Sequence, residues 1–152
     1  MAVDIHRLID RIRVMLRDFP EYNTLWQVPG GPEFTTEEIR QALENALDRI
    51  NLVPPVSNYT WKTLPEELVQ PLMQFAIYFL LNMKAREIGR NNVEFQSGGV
   101  AADYTRILME YAQAAQTAEE RAEMLAQRYK VEANLREGFG IIESPFGHWA
   151  WW

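Results

Sequence analysis

The sequence predicts an all-α fold: a four-helix core with a long final helix, a short hairpin or loop before that helix, and an extended C-terminal arm. Three observations carry this. Leu64–Gly89 would be apolar on nearly every side of a helix, with seven consecutive apolar residues at Phe75–Leu81, so other helices must wrap it. Asp4–Asp18 and Phe34–Asn51 each carry apolar residues at helical spacing on one face. From Asp103 to about Leu135 the chain keeps an a/d heptad through four repeats. A chain of 152 residues fits one domain. The expected division is a helical domain over 1–137 and an extended aromatic arm over 138–152.

The first helix should run over 4–18. Ile5, Leu8, Ile9, Ile12, Met15 and Leu16 share a face, and Pro20 stops it. Arg7, Arg11, Arg13 and Arg17 fall largely off that face and read as a solvated surface with Asp10 and Asp18 interspersed. Phe19–Glu33 is punctuated by Pro20, Asn23, Pro29, Gly30, Gly31 and Pro32, which predicts a long loop. Tyr22, Leu25, Trp26 and Val28 either pin that loop to the core or meet a partner.

The second helix should span 36–51. Thr35 and Glu38 have capping-box spacing, and Phe34 and Ile39 are placed as its hydrophobic staple. Ile39, Leu43, Ala46, Leu47 and Ile50 form its buried face, and Pro54 and Pro55 end it. Tyr59 and Trp61 anchor the connector that follows.

The central helix should cover 65–88, opened by a second capping box at Thr63 and Glu66. Leu68, Leu72, Phe75, Phe79 and Met83 form one stripe, and the narrow seam Gln74–Tyr78–Asn82 stays polar. Leu72, Phe75, Ile77, Phe79 and Leu80 are expected in the core. Pro71 leaves two alternatives: a kinked helix, or a short first turn with the main helix beginning at Pro71.

Asn91–Ala102 breaks the helical pattern, and Val93, Phe95 and Val100 flanking Gln96-Ser97-Gly98-Gly99 suggest a small hairpin or wide loop at 92–101. The long helix over 103–135 then places Tyr104, Leu108, Tyr111, Ala115, Ala118, Ala122, Leu125 and Tyr129 on its seam. The alanines invite close approach by another helix. Packing against the central helix explains one part of this stripe, and Tyr111, Ala115, Ala118, Ala122 and Leu125 are the expected inter-subunit seam, met in part by a neighbouring subunit.

The segment Gly138–Trp152 differs in kind. Gly138, Gly140, Pro145 and Gly147 oppose a helix, while Phe139, Ile141, Ile142, Phe146, Trp149, Trp151 and Trp152 add a large apolar load. Left in water it is an aggregation hazard. It either folds back on its own domain or reaches a partner. As an arm, its contact residues are these seven and His148.

Chemistry is sparse. The only histidines, His6 and His148, stand in no metal-ligand pattern. No nucleophile elbow, P-loop or dinucleotide fingerprint occurs. The adjacent pairs Glu37–Glu38, Glu66–Glu67 and Glu119–Glu120 lie on helix starts or exposed turns, and sequence neighbours on a helix do not converge on one cleft. No catalytic, metal or cofactor-binding residues are expected, and the chain reads as a non-enzyme. There is no cysteine, and the net charge of −6 opposes a nucleic-acid coat. MAVDIHRL offers no signal-peptide pattern.

The order of parts resembles the head-to-tail connector proteins of tailed bacteriophages, also called adaptor or head-completion proteins. The resemblance rests on FTTEEIRQALENALDRIN, the Pro-Pro connector, and the buried helix ending in AREIGRNNVEFQSGGVAADY. It covers roughly Phe34–Tyr129 and is most specific at Gly89–Tyr104. It implies a small helical virion protein that forms a ring, typically twelve-fold, beneath the portal. It also implies a C-terminal arm docked on the portal, a downstream tail or neck partner, and DNA threading the channel without sequence-specific binding. It implies no membrane. The location would be the virion's head-tail junction, and the host cytoplasm during assembly. The tryptophan-ended tail is not a general feature of that family. The alternative reading is a cellular helical adaptor or regulator that binds a partner through its aromatic tail.

Overall fold

The computed structural model describes residues 3–19, 32–91 and 100–138, and the chain is all-α there, with no strand among the described residues. Helices α1 (Ile5–Leu16), α2 (Thr36–Leu52), α3 (Val69–Asn91) and α4 (Val100–Gly138) follow in order, with a 3-10 turn at Glu66–Leu68 leading into α3. The central element is α3: α4 and α2 make their most extensive contacts with it, and α1 touches both α2 and α3.

The Asp4 carboxylate accepts from the His6 and Arg7 amides at the start of α1. The helix ends before Pro20 comes into play, because Arg17 adopts a left-handed conformation with φ 53°. The Arg17 amide donates to Val14 O and the Asp18 amide to Arg13 O, a Schellman ending that uses arginine where glycine is usual. This turn sends Asp18 inward, to 3% exposure. There it accepts from the Glu33 amide, the Phe34 amide at 3.0 Å and Arg13 Nη1 at 3.1 Å. Arg13 also donates to Phe34 O and Thr36 Oγ1. One ion pair thus joins the end of α1 to the start of α2, and Arg13 is no solvated surface residue.

The capping box of α2 forms as expected: the Glu38 amide donates to Thr35 Oγ1, and the Thr35 amide donates to Glu38 Oε2. Phe34 and Ile39, its staple, are both buried. Val53 after α2 is extended, the conformation that a following proline imposes. Asn51 then holds the connector like a clasp. Its Nδ2 donates to Tyr59 O at 2.9 Å, and its Oδ1 accepts from the Tyr59 amide at 2.8 Å and from Ser57 Oγ. Tyr59 and Trp61 pack half-buried against the core.

The expected Thr63–Glu66 capping box does not form. Thr63 Oγ1 instead accepts from the Thr60 amide, closing a turn with the Thr63 and Leu64 amides on Thr60 O. The short first turn ends at Leu68 and α3 begins at Val69. Pro71 therefore lies in the first turn of α3, where an amide has no acceptor within the helix.

Leu68, Leu72, Met73, Phe75, Ala76, Ile77 and Leu80 form the α3 core. In the polar seam, Gln74 is buried and Tyr78 and Asn82 are half-buried. The expected apolar stripe is corrected at two residues. Phe79 is only half-buried and Met83 is exposed. Opposite these two, α2 presents Gln41, Ala42 and Asn45 across an open groove.

At 39 residues, α4 is about 58 Å long, and it includes 100–101, which were expected in a hairpin. Residues 92–99 lie outside the described residues. Its buried line is Ala115, Ala118, Ala122, Ala126 and Lys130. Leu125 and Tyr129 are only half-buried. A straight helix at 3.6 residues per turn drifts off a 3.5-residue repeat, which passes the contact from Leu125 and Tyr129 to their C-terminal neighbours.

Candidate functional site

The expected arm residues Phe139, Ile141, Ile142, Phe146, His148, Trp149, Trp151 and Trp152 lie outside the described residues. The expected inter-subunit seam is placed in full. Ala115, Ala118 and Ala122 are buried within the chain itself, and α4 packs on α3. At these three residues the small side chains let the chain's own α3 approach. Tyr111 and Leu125 are half-buried at its margins.

Tyr111 is instead part of a polar junction. Its hydroxyl donates to Glu33 Oε1 at 2.7 Å, and Lys84 Nζ lies 4.0 Å from the same oxygen and 3.1 Å from Glu87 Oε2. Burial, then the Glu33 carboxylate, pushes the Tyr111 hydroxyl well above the ordinary tyrosine range, and Asp18 and Glu87 add to it. The junction ties the segment preceding α2 to α3 and α4 at one level of the molecule.

A second polar anchor lies toward the other end of α4. Lys130 is 2% exposed. Its ammonium donates to Ile50 O at 2.5 Å, Val53 O at 2.7 Å and Pro55 O at 3.1 Å, which uses all three donors. It also lies 5.9 Å from the Tyr59 ring centroid. A cation at the C-terminal end of α2 suits the helix dipole, while burial pushes the Lys130 ammonium below the ordinary lysine value. Arg49 adds a neighbouring α2–α4 link through Glu119, at 3.3 Å, and Glu123.

Between α2 and α3 runs an open groove of about 770 Å³. Ala42 and Leu80 are buried along it, Tyr78 and Phe79 are half-buried, and Met83 is 39% exposed. Glu38, Gln41, Asn45, Arg86 and Arg90 supply its polar lining. Glu38 is held by its capping box. The arrangement suits apolar side chains carried on an acidic or neutral segment. A smaller groove of about 580 Å³ lies where α1, α3 and α4 meet, between Met15, Ile77, Leu81 and Ala114.

Among the described residues, no group of three or more histidine or acidic side chains could hold a metal ion. No described helix is long and apolar enough to cross a membrane. Sequence reasoning missed Lys130, the Arg13–Asp18 pair and the Tyr111–Glu33 bond. Lys130 had a signal, since Ala122, Ala126 and Lys130 recur at steps of four. Tyr111 and Glu33 are 78 residues apart, and no local pattern joins them. Comparison with known proteins finds no matching family model, no matching curated protein and no matching solved structure.

Proposed function

We propose that the protein is a structural virion component of a tailed phage. In this reading it forms a ring, of twelve copies by the resemblance, that joins the portal to the tail and surrounds the DNA channel. The reading starts from the resemblance at Phe34–Tyr129. The observation that carries it further is α4. Beyond Lys130 its side chains are almost all exposed, among them Val131 and Leu135 at 43% and 50%. A helical body that ends in a projecting, partly apolar helix and then an aromatic segment is suited to assembly. The grooves and the buried Lys130 of the body serve packing and docking.

In this proposal the segment 138–152 is the portal-binding arm, and large aromatics are the usual anchors of such contacts. A downstream tail or neck protein meets the opposite face of the ring. The net charge of −6 suits a channel wall that repels DNA and lets it slide. The protein works in the virion after assembly in the host cytoplasm, and needs no cofactor.

Truncation after Glu137 tests this. The shortened chain keeps its helical signal and nearly its thermal midpoint, and it no longer enters particles. Unfolding on truncation would place the aromatic segment in the protein's own core and end the arm proposal. Normal incorporation would mean that another surface meets the portal.

A further inference from the structure

The three carbonyls that hold the Lys130 ammonium come from one short stretch, at Ile50, Val53 and Pro55, while the lysine arrives from 75 to 80 residues further along the chain. That stretch keeps its shape through bonds in which Lys130 has no part. The Val53 amide donates to Arg49 O and Ile50 O, and the Ser57 amide donates to Asn51 O at 3.1 Å. The Asn51 side chain pins Ser57 and Tyr59. Ile50 and Val53 are buried, and Tyr59 packs on the core. The carbonyls are therefore held in place before an ammonium reaches them.

The geometry selects a primary ammonium. Oxygens at 2.5, 2.7 and 3.1 Å take its three N–H donors. The Tyr59 ring centroid, 5.9 Å away, is within cation–π reach. No described carboxylate forms an ion pair with Lys130. Carbonyl dipoles and the C-terminal end of α2 thus carry the attraction. A cation without N–H donors cannot use these acceptors, and a planar guanidinium spreads its donors in one plane.

Lys130 is also the last buried residue of α4. Among 131–138 only Ala133 is even half-buried. The anchors just before it are Ala126, a single methyl group, and the half-buried Tyr129. We propose that the connector after α2 is a preformed receptor for a primary ammonium, and that Lys130 seated in it is the latch that holds the free end of α4 to the body. This goes beyond the connector-protein reading and does not depend on it.

Lys130→Ala separates receptor from latch. It removes the part of the side chain that free n-propylammonium reproduces. Hydrogen exchange read by mass spectrometry should quicken at least about tenfold in Lys130→Ala, both in the connector at 51–59 and at 131–135 of α4. Added n-propylammonium should slow the connector again, saturably, and leave 131–135 fast, because the free amine is not tied to α4. Tetramethylammonium at the same ionic strength and n-propanol at the same concentration should do neither. Lys130→Arg keeps the charge and should exchange as Lys130→Ala does without amine. Recovery of the connector with tetramethylammonium, no recovery with n-propylammonium, or parent-like protection in Lys130→Arg overturns the receptor. Parent-like exchange at 131–135 in Lys130→Ala overturns the latch.

The unaltered protein gives a reading that needs no variant. Its three lysines are Lys62, Lys84 and Lys130, of which Lys62 is exposed and Lys130 is 2% exposed. Reductive methylation of the native chain should modify Lys62 at least about tenfold faster than Lys130, whose amine reacts only when the latch opens. Equal rates overturn the seated latch.

Discussion

The Lys130 ammonium of α4 sits 2.7 Å from the carbonyl of Val53, the residue that caps α2. This contact and its companions at Ile50 and Pro55 fix the register between two helices that otherwise meet chiefly through α3. A buried lysine is costly to desolvate, and three acceptors offset that cost only while all are in place.

Lys130→Met keeps much of the side-chain volume and removes the donors. It leaves the carbonyls of Val53 and Pro55 without the ammonium that held them, and should cost about 2–3 kcal/mol. Urea denaturation reads the loss. A variant as stable as the parent would mean that water or the Tyr59 segment replaces the ammonium without penalty.

The hydroxyl of Tyr111 gives a pH signature. Its folded pKa is raised by burial and by Glu33, so the folded state holds this proton more tightly than the unfolded chain. The associated stability is fully present below the ordinary tyrosine value of about 10 and is lost as pH climbs above it. Tyr111→Phe should cost about 1 kcal/mol at neutral pH and flatten the alkaline decline. Tyr129, shifted upward, and Lys130, shifted downward, remain in both proteins. The difference between their pH profiles from 9 to 11 therefore isolates Tyr111. Parallel profiles would contradict the Tyr111–Glu33 contact.

Phe75 and Phe79 should separate sharply. Phe75 is wholly buried, with Arg49 6.0 Å from its ring centroid, while Phe79 opens onto the α2/α3 groove. Phe75→Ala should cost about 3–5 kcal/mol, and Phe79→Ala clearly less. Equal losses in thermal or urea melts would mean that the groove is closed in solution.

Much of this fold is legible in the sequence because the signals are local. Thr35 and Glu38 declare a helix start, Pro54 and Pro55 a helix end, and Phe75–Leu81 a buried helix. The failures came where a neighbour decides. Phe79 and Gln74 are both on α3, and which one is covered depends on where α2 and α4 lie. The alanine pattern on α4 showed that a close partner exists but not whose helix it is. Arg13 and Asp18 meet because Arg17 takes a left-handed turn, which arginine seldom announces. For the candidate site, the aromatic load of 138–152 was visible at once. The exposure of Val131 and Leu135 was not, because apolar residues among charges read as ordinary surface until the helix projects.

The central claim is a ring that binds a portal, and native mass spectrometry of the full-length protein with its cognate portal tests it most directly. The account predicts one closed oligomer of this chain, twelve copies by the resemblance, bound to one portal ring. A chain that stays monomeric or dimeric and leaves the portal mass unchanged would contradict it.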